Sequence, residues 1–310
     1  MARGLLLICD MRVVFAVLLA VAEVSAGTAF AAPATRVRAN AAFHPTAFSV
    51  EVHGRGRPVI LIPGLGCPGS VWRDTVQHLR GYQSHVLTLA GFAGKPRIDA
   101  PLVKTTVDEL ARYIRAHHLV HPVIIGHSLG GFVAYSLAAR EPALVGPVVV
   151  VDAGAAGGTV DGDTASAASS FWRDASDAQF AQRIKDVFGQ MSARPERLAP
   201  LLAEIAHSDR RAIGDAVYEL STTTVGDDLA RIRAPVLLVL ADGGLQSEYR
   251  RQARAIRERQ IVVLPGTGHF VMLDDPRGFF AAVDDFLEDH SAVASAREES
   301  RSSGAAARQR

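Results

Sequence analysis

Val123-Ile124-Ile125-Gly126-His127-Ser128-Leu129-Gly130-Gly131 is the stretch on which the reading of this chain turns. Three β-branched residues in a row read as a strand buried on both faces. The small-residue run from Leu129 to Ala139 reads as a helix packed closely on that strand. Between them lies G-x-S-x-G. In a strand–turn–helix of this kind the serine occupies a strained turn that lifts its hydroxyl above the sheet. Gly126 and Gly130 are needed there because a Cβ at either place would meet neighbouring backbone. A purely structural Gly-Ser turn fits the five residues alone, but the strand before and the helix after favour a nucleophile. Ser128 is the candidate.

The flanking sequence repeats the alternation. Phe48–Val52, Val59–Ile62, Val86–Leu89, Val148–Val151, Val236–Leu240 and Ile261–Leu264 read as further strands. Ser70–Leu79, Val107–His118, Glu248–Arg257 and Pro276–Leu287 read as helices. The pattern predicts an α/β fold, a mostly parallel central sheet flanked by helices on both faces. From Ala153 to Leu229 no strand is expected. Phe180, Ile184, Val187, Phe188 and Met191 share one helical face, and Leu198, Leu201, Leu202 and Ile205 form a second stripe. This predicts a helical cap over 153–230, inserted into a core made of 42–152 and 231–289. Such stripes also serve simply to pack on a sheet, and most of these residues should do so.

A serine hydroxyl needs a base to take its proton. Of the 11 histidines, His269 combines a glycine-rich loop, Leu264-Pro265-Gly266-Thr267-Gly268-His269-Phe270, with a place after the last apolar strand. That loop should lie at the carboxyl edge of the sheet, where the Ser128 turn also emerges. His117, His118, His207 and His290 read as solvated side chains, and His127 should diverge from its neighbour Ser128. The tetrahedral intermediate requires two N–H donors. Leu129, just after the serine, supplies one candidate amide. Leu65, in the turn Pro63-Gly64-Leu65-Gly66 after Val59–Ile62, supplies the other, although an ordinary tight turn reads the same way.

Taken together, Pro63-Gly64-Leu65-Gly66, Gly126-His127-Ser128-Leu129-Gly130-Gly131 and Gly268-His269 resemble the α/β-hydrolase superfamily, with a likeness running from about Phe48 to Leu287. The resemblance implies a Ser–His–acid triad, a two-donor oxyanion hole and a helical cap. Its members cleave esters, lactones, peptides and other bonds, so the machinery is indicated more firmly than the substrate. Two departures matter. Pro63 stands where many members have a histidine, though a backbone donor does not depend on it. The acid usually follows the strand equivalent to Pro235–Leu240 by a fixed interval, and here that position is Gly244, with Asp242 two residues earlier. Asp152, at the end of Val148–Val151, is the rival and the preferred acid; a strand-end aspartate that caps the next turn would look the same.

The bulk numbers agree with a globular enzyme: 48% of the residues are hydrophobic and 21% charged, and 33 basic against 32 acidic side chains leave +1. Neither nucleic acid nor an anionic membrane surface is implied as a partner. No H-E-x-x-H, C-x-x-C or dinucleotide fingerprint occurs, so neither metal nor cofactor is expected. Arg12 followed by the apolar run Val13–Ala22, with small residues at Val24/Ala26 or Ala29/Ala31, predicts a signal peptide over 1–31 and a secreted or periplasmic protein. A linker over 32–41 and a disordered tail over 290–310 complete the organisation. Once the signal is removed Cys67 is alone, and it reads as a small buried hydrophobe. The expected function is hydrolysis of a small, hydrophobic carboxylic ester through an acyl-serine. The alternatives are a peptidase, amidase or lactonase on the same triad, or a non-catalytic binding member of the fold. A peptidase would need cap carboxylates such as Asp174, Asp177 or Glu204 for a substrate ammonium, but these residues read as solvated helix faces.

Overall fold

The expected strands do form one sheet. In the computed structural model, which describes residues 43–155 and 160–290, seven strands pair in the order β1-β3-β2-β4-β5-β6-β7. They are β1 (Phe48–Gly54), β2 (Arg57–Ile62), β3 (Tyr82–Leu89), β4 (Val123–His127), β5 (Val148–Val151), β6 (Val236–Ala241) and β7 (Arg259–Leu264). Only β1 runs antiparallel, against β3; the other pairings are parallel. β1 lies at the sheet edge and becomes exposed from Glu51 onward, whereas β4, β5 and β6 are buried along their whole length. Each fully buried Val, Leu or Ile in these strands contributes about 1.5–3 kcal/mol of hydrophobic stabilisation.

Helices cover both faces: α1 (Arg73–His78), α2 (Leu102–Ala116), α3 (Leu129–Arg140), α8 (Gln246–Gln252), the one-turn α9 (Val271–Asp274), and α10 over 276–290. Chain order reverses between β2 and β4: β3 lies to one side of β2, while β4 and all later strands lie to the other. The loops after β2 and β4 therefore part there and leave a crevice at the carboxyl edge.

Between β5 and β6 the chain leaves the sheet for four helices, α4 (Gly162–Arg173), α5 (Asp177–Phe188), α6 (Pro195–Ile205) and α7 (Arg210–Thr222). Phe180, Ile184 and Phe188 of the first expected stripe are buried, as are Leu198, Leu201 and Ile205 of the second. Met191 departs from the expectation: it sits in a 3-10 turn, Gly189–Met191, beyond the end of α5. Among the described residues no helix is long and apolar enough to cross a membrane. The expected signal peptide, the whole expected linker and the tail from 291 onward lie outside the described residues, while His290, expected to open the tail, instead ends α10.

Candidate active site

Ser128 links β4 directly to α3 with φ +53° and ψ −119°, a conformation that L-residues rarely adopt. Its surroundings explain the two glycines. A Cβ on Gly126 would sit 2.1 Å from the carbonyl oxygen of Gly130, and one on Gly130 would sit 2.2 Å from that of Ile62. Strand, helix and the β2 loop thus meet backbone to backbone, and the turn holding Ser128 has no room to relax. The Ser128 side chain is half-buried.

The loop after β2 closes on it from the crevice. A Cβ on Gly64 would lie only 3.2 Å from Ser128 Cβ, so the Pro63–Gly66 turn is in contact with the serine. Leu129, the first residue of α3, is buried, and as N1 its amide has no partner inside the helix. These are the surroundings of the two expected oxyanion donors.

Asp152 continues β5 by one residue, its N–H donating to Val239 of β6 at 2.8 Å, and holds φ +45°. Its Oδ1 accepts the N–H of Ala241 at 3.0 Å, and its Oδ2 lies 2.6 Å from Nδ1 of His269. Both side chains are close to nine-tenths buried, at 12% exposure for His269 and 11% for Asp152. A carboxylate accepts only, so Nδ1 carries the proton and Nε2 is left as a hydrogen-bond acceptor. Asp152's charge also reaches the buried Tyr249, whose hydroxyl is pushed far up by burial first and by Asp152 second.

Asp242 serves a different end. Its Oδ2 accepts the N–H of Gly266 at 3.1 Å and its own N–H donates to Thr267 at 3.3 Å, so it braces the loop that carries His269 from the outside. The structure therefore brings Ser128, Leu65, Leu129, Asp152 and His269 to one edge of the sheet and joins His269 to Asp152 rather than to Asp242.

Sequence reasoning missed His127. It does not simply point away from the site: its Nε2–H donates to the carbonyl of His269 at 2.9 Å, and the two rings stand 4.7 Å apart. The side chain is 1% exposed and its Nδ1 has no hydrogen-bond partner among the described residues. Burial, and next repulsion from His269 whenever that ring is protonated, hold this imidazole well below its usual range, so it is neutral. Of the other histidines, His290 packs against Phe286 with ring centroids 4.6 Å apart, rather than standing in solvent.

His269 thus has one ring nitrogen locked to a carboxylate and the other left as an acceptor, at the sheet edge where Ser128 emerges. Among the described residues no group of three or more His, Cys, Asp and Glu is placed to hold a metal ion.

Comparison with known proteins agrees with this architecture. A model described as the alpha/beta hydrolase family matches residues 59–283. The chain is 28% identical over 253 residues to N-formylmaleamate deformylase of Pseudomonas putida, a match covering 77% of this chain and 91% of that protein. It is 30% identical over 102 residues to a pimeloyl-[acyl-carrier protein] methyl ester esterase of Vibrio cholerae, which covers 33% of this chain and only 38% of that enzyme. Among solved structures, the enol-lactonase of Burkholderia xenovorans LB400 superposes with a TM-score of 0.69 at 18% identity, over 78% of this chain and 96% of the other.

Proposed function

The chain belongs to the alpha/beta hydrolase family, and on that premise we propose that it hydrolyses a small carboxylic ester or related acyl compound through an acyl-serine at Ser128. In this reading His269 Nε2 takes the Ser128 proton as the hydroxyl attacks the acyl carbon, and Asp152 holds the ring and offsets the imidazolium charge. The amides of Leu65 and Leu129 receive the oxyanion. His269 then returns its proton to the leaving oxygen, and water repeats the sequence to free the acid and restore Ser128. The observation that carries the reading is the 2.6 Å Asp152–His269 contact at the edge where Ser128 emerges.

A second reading changes the bond and keeps the machinery. The nearly full-length likeness to N-formylmaleamate deformylase favours cleavage of a C–N acyl bond, with His269 protonating a departing nitrogen. A panel of p-nitrophenyl esters of graded acyl length, set beside N-formyl amides and lactones, separates the two. Ester turnover that is lost in Ser128→Ala supports the first reading, and preference for the formyl amides supports the second. Wild-type inactivity toward all of them, or an active Ser128→Ala, refutes both. Export to the periplasm or medium, proposed from the apolar N-terminal run, is tested by sequencing the mature N-terminus, expected near Gly27 or Ala32.

A further inference from the structure

Asp274, five residues beyond His269, is 6% exposed and ends α9. A carboxylate removed from water must have its oxygens filled by donors. Here the donors come from two sides. From the loop of His269, the N–H of Gly268 reaches Oδ2 at 2.6 Å. From the segment that opens α6 in the cap, the N–H of Ala193 reaches Oδ2 at 3.0 Å, the N–H of Arg194 reaches Oδ1 at 3.1 Å, and the Ser192 hydroxyl donates to Oδ1. The same two pieces of chain touch again one residue away. His269 N–H donates to Met191 carbonyl at 2.6 Å, and a Cβ on Gly268 would lie 2.5 Å from that oxygen.

We propose that Asp274 is a positioning residue for His269: it clamps residues 192–194 of the cap to Gly268 and so sets the height and rotation of the imidazole. The proposal rests on the triad reading given above. It makes the cap at this edge a fixed part of the base loop rather than a lid that swings clear of it. Asp274→Asn perturbs the clamp with little change in shape. Both carboxylate oxygens face N–H donors, so either orientation of the amide turns its NH2 toward a backbone N–H. The Ser192 hydroxyl can rotate to accept, but Arg194 N–H, or Gly268 and Ala193 N–H, cannot.

The test follows two quantities in the full chain: kcat and KM for p-nitrophenyl acetate, and the low-field proton resonance of His269 Nδ1–H in its short bond to Asp152. A displaced base costs rate rather than binding. Asp274→Asn should lower kcat about 10- to 100-fold, leave KM within about twofold because no substrate contact is lost, and broaden or shift the resonance. A purely structural carboxylate would lower the melting temperature while kcat per folded molecule and the resonance stay as in wild type, and that result overturns the proposal. If Asp274→Asn does not fold, Ser192→Ala removes one hydroxyl from a half-buried side chain and is read the same way. A several-fold loss of kcat with a broadened resonance supports the clamp, and wild-type values for both overturn it. Failure of the triad reading looks different: wild-type enzyme would then neither turn over the ester nor take up a phosphonate at Ser128, whereas the resonance still reports whether Asp274 places His269.

Discussion

Asp152→Asn isolates the acid of the proposed triad with little other damage. The backbone at 152 holds φ +45°, and asparagine is among the residues that tolerate the left-handed region best, so the turn should survive. The two oxygens of Asp152 have different partners, Ala241 N–H at 3.0 Å and His269 Nδ1 at 2.6 Å. An asparagine satisfies the first with its carbonyl oxygen and is then left to present its NH2 to Nδ1. The imidazole must shift its proton to Nε2, where it can no longer accept from Ser128. In a serine-protease triad the same change costs about 10⁴ in kcat, equivalent to about 5.5 kcal/mol of transition-state stabilisation. We expect that loss in steady-state ester hydrolysis, normalised to the folded fraction by circular dichroism, with a melting temperature close to wild type because Ala241 N–H stays paired. Asp242→Asn, at a side chain that accepts the loop amide of Gly266 and can still do so through its amide oxygen, should keep most of the activity. Asp152→Asn activity within tenfold of wild type, or a 10⁴ loss in Asp242→Asn instead, would refute the assignment.

Two further outcomes follow from buried groups. The thiol of Cys67, fully buried and pushed up to about 12 by desolvation, should ignore Ellman's reagent at pH 8 in Cys9→Ser protein until the chain unfolds; rapid stoichiometric reaction of that native protein would contradict this. His85 is pushed down to about 4, first by burial and then by the neighbouring charge of His117. Its folded value lies below the unfolded 6.5, so the stability it contributes is complete above pH 6.5 and drains away as pH falls from 6.5 toward 4. Melting temperatures measured across that window should fall more steeply for wild type than for His85→Gln, and identical slopes would remove His85 from the account.

The central strands were legible because β4, β5 and β6 are buried on both faces and written as apolar runs, and the places of Ser128 and His269 at the sheet's edge were legible because each follows such a run. Helix ends were less so. The start of α2 was expected at Val107 and lies at Leu102, because Glu219 of the distant α7 accepts the N–H groups of Val103 and Lys104. A cap supplied from 116 and 115 residues away leaves no local signal. The same holds at the site. Asp152 and Asp242 both follow strands of the sheet, and only the path of the His269 loop across the end of β6 separates them. Asp274 and Met191 were unreadable for a related cause, since their partners meet only when the cap docks. His127 had a signal in its place beside Ser128, but the carbonyl it holds lies 142 residues away.

Covalent capture asks whether Ser128 is the nucleophile. Wild-type protein treated with a fluorophosphonate should gain the mass of one phosphonyl group, and proteolytic mapping should place it on Ser128; Ser128→Ala should gain none and His269→Ala should label far more slowly. A wild-type protein that stays unmodified, or an adduct found on another residue and retained in Ser128→Ala, would contradict the account.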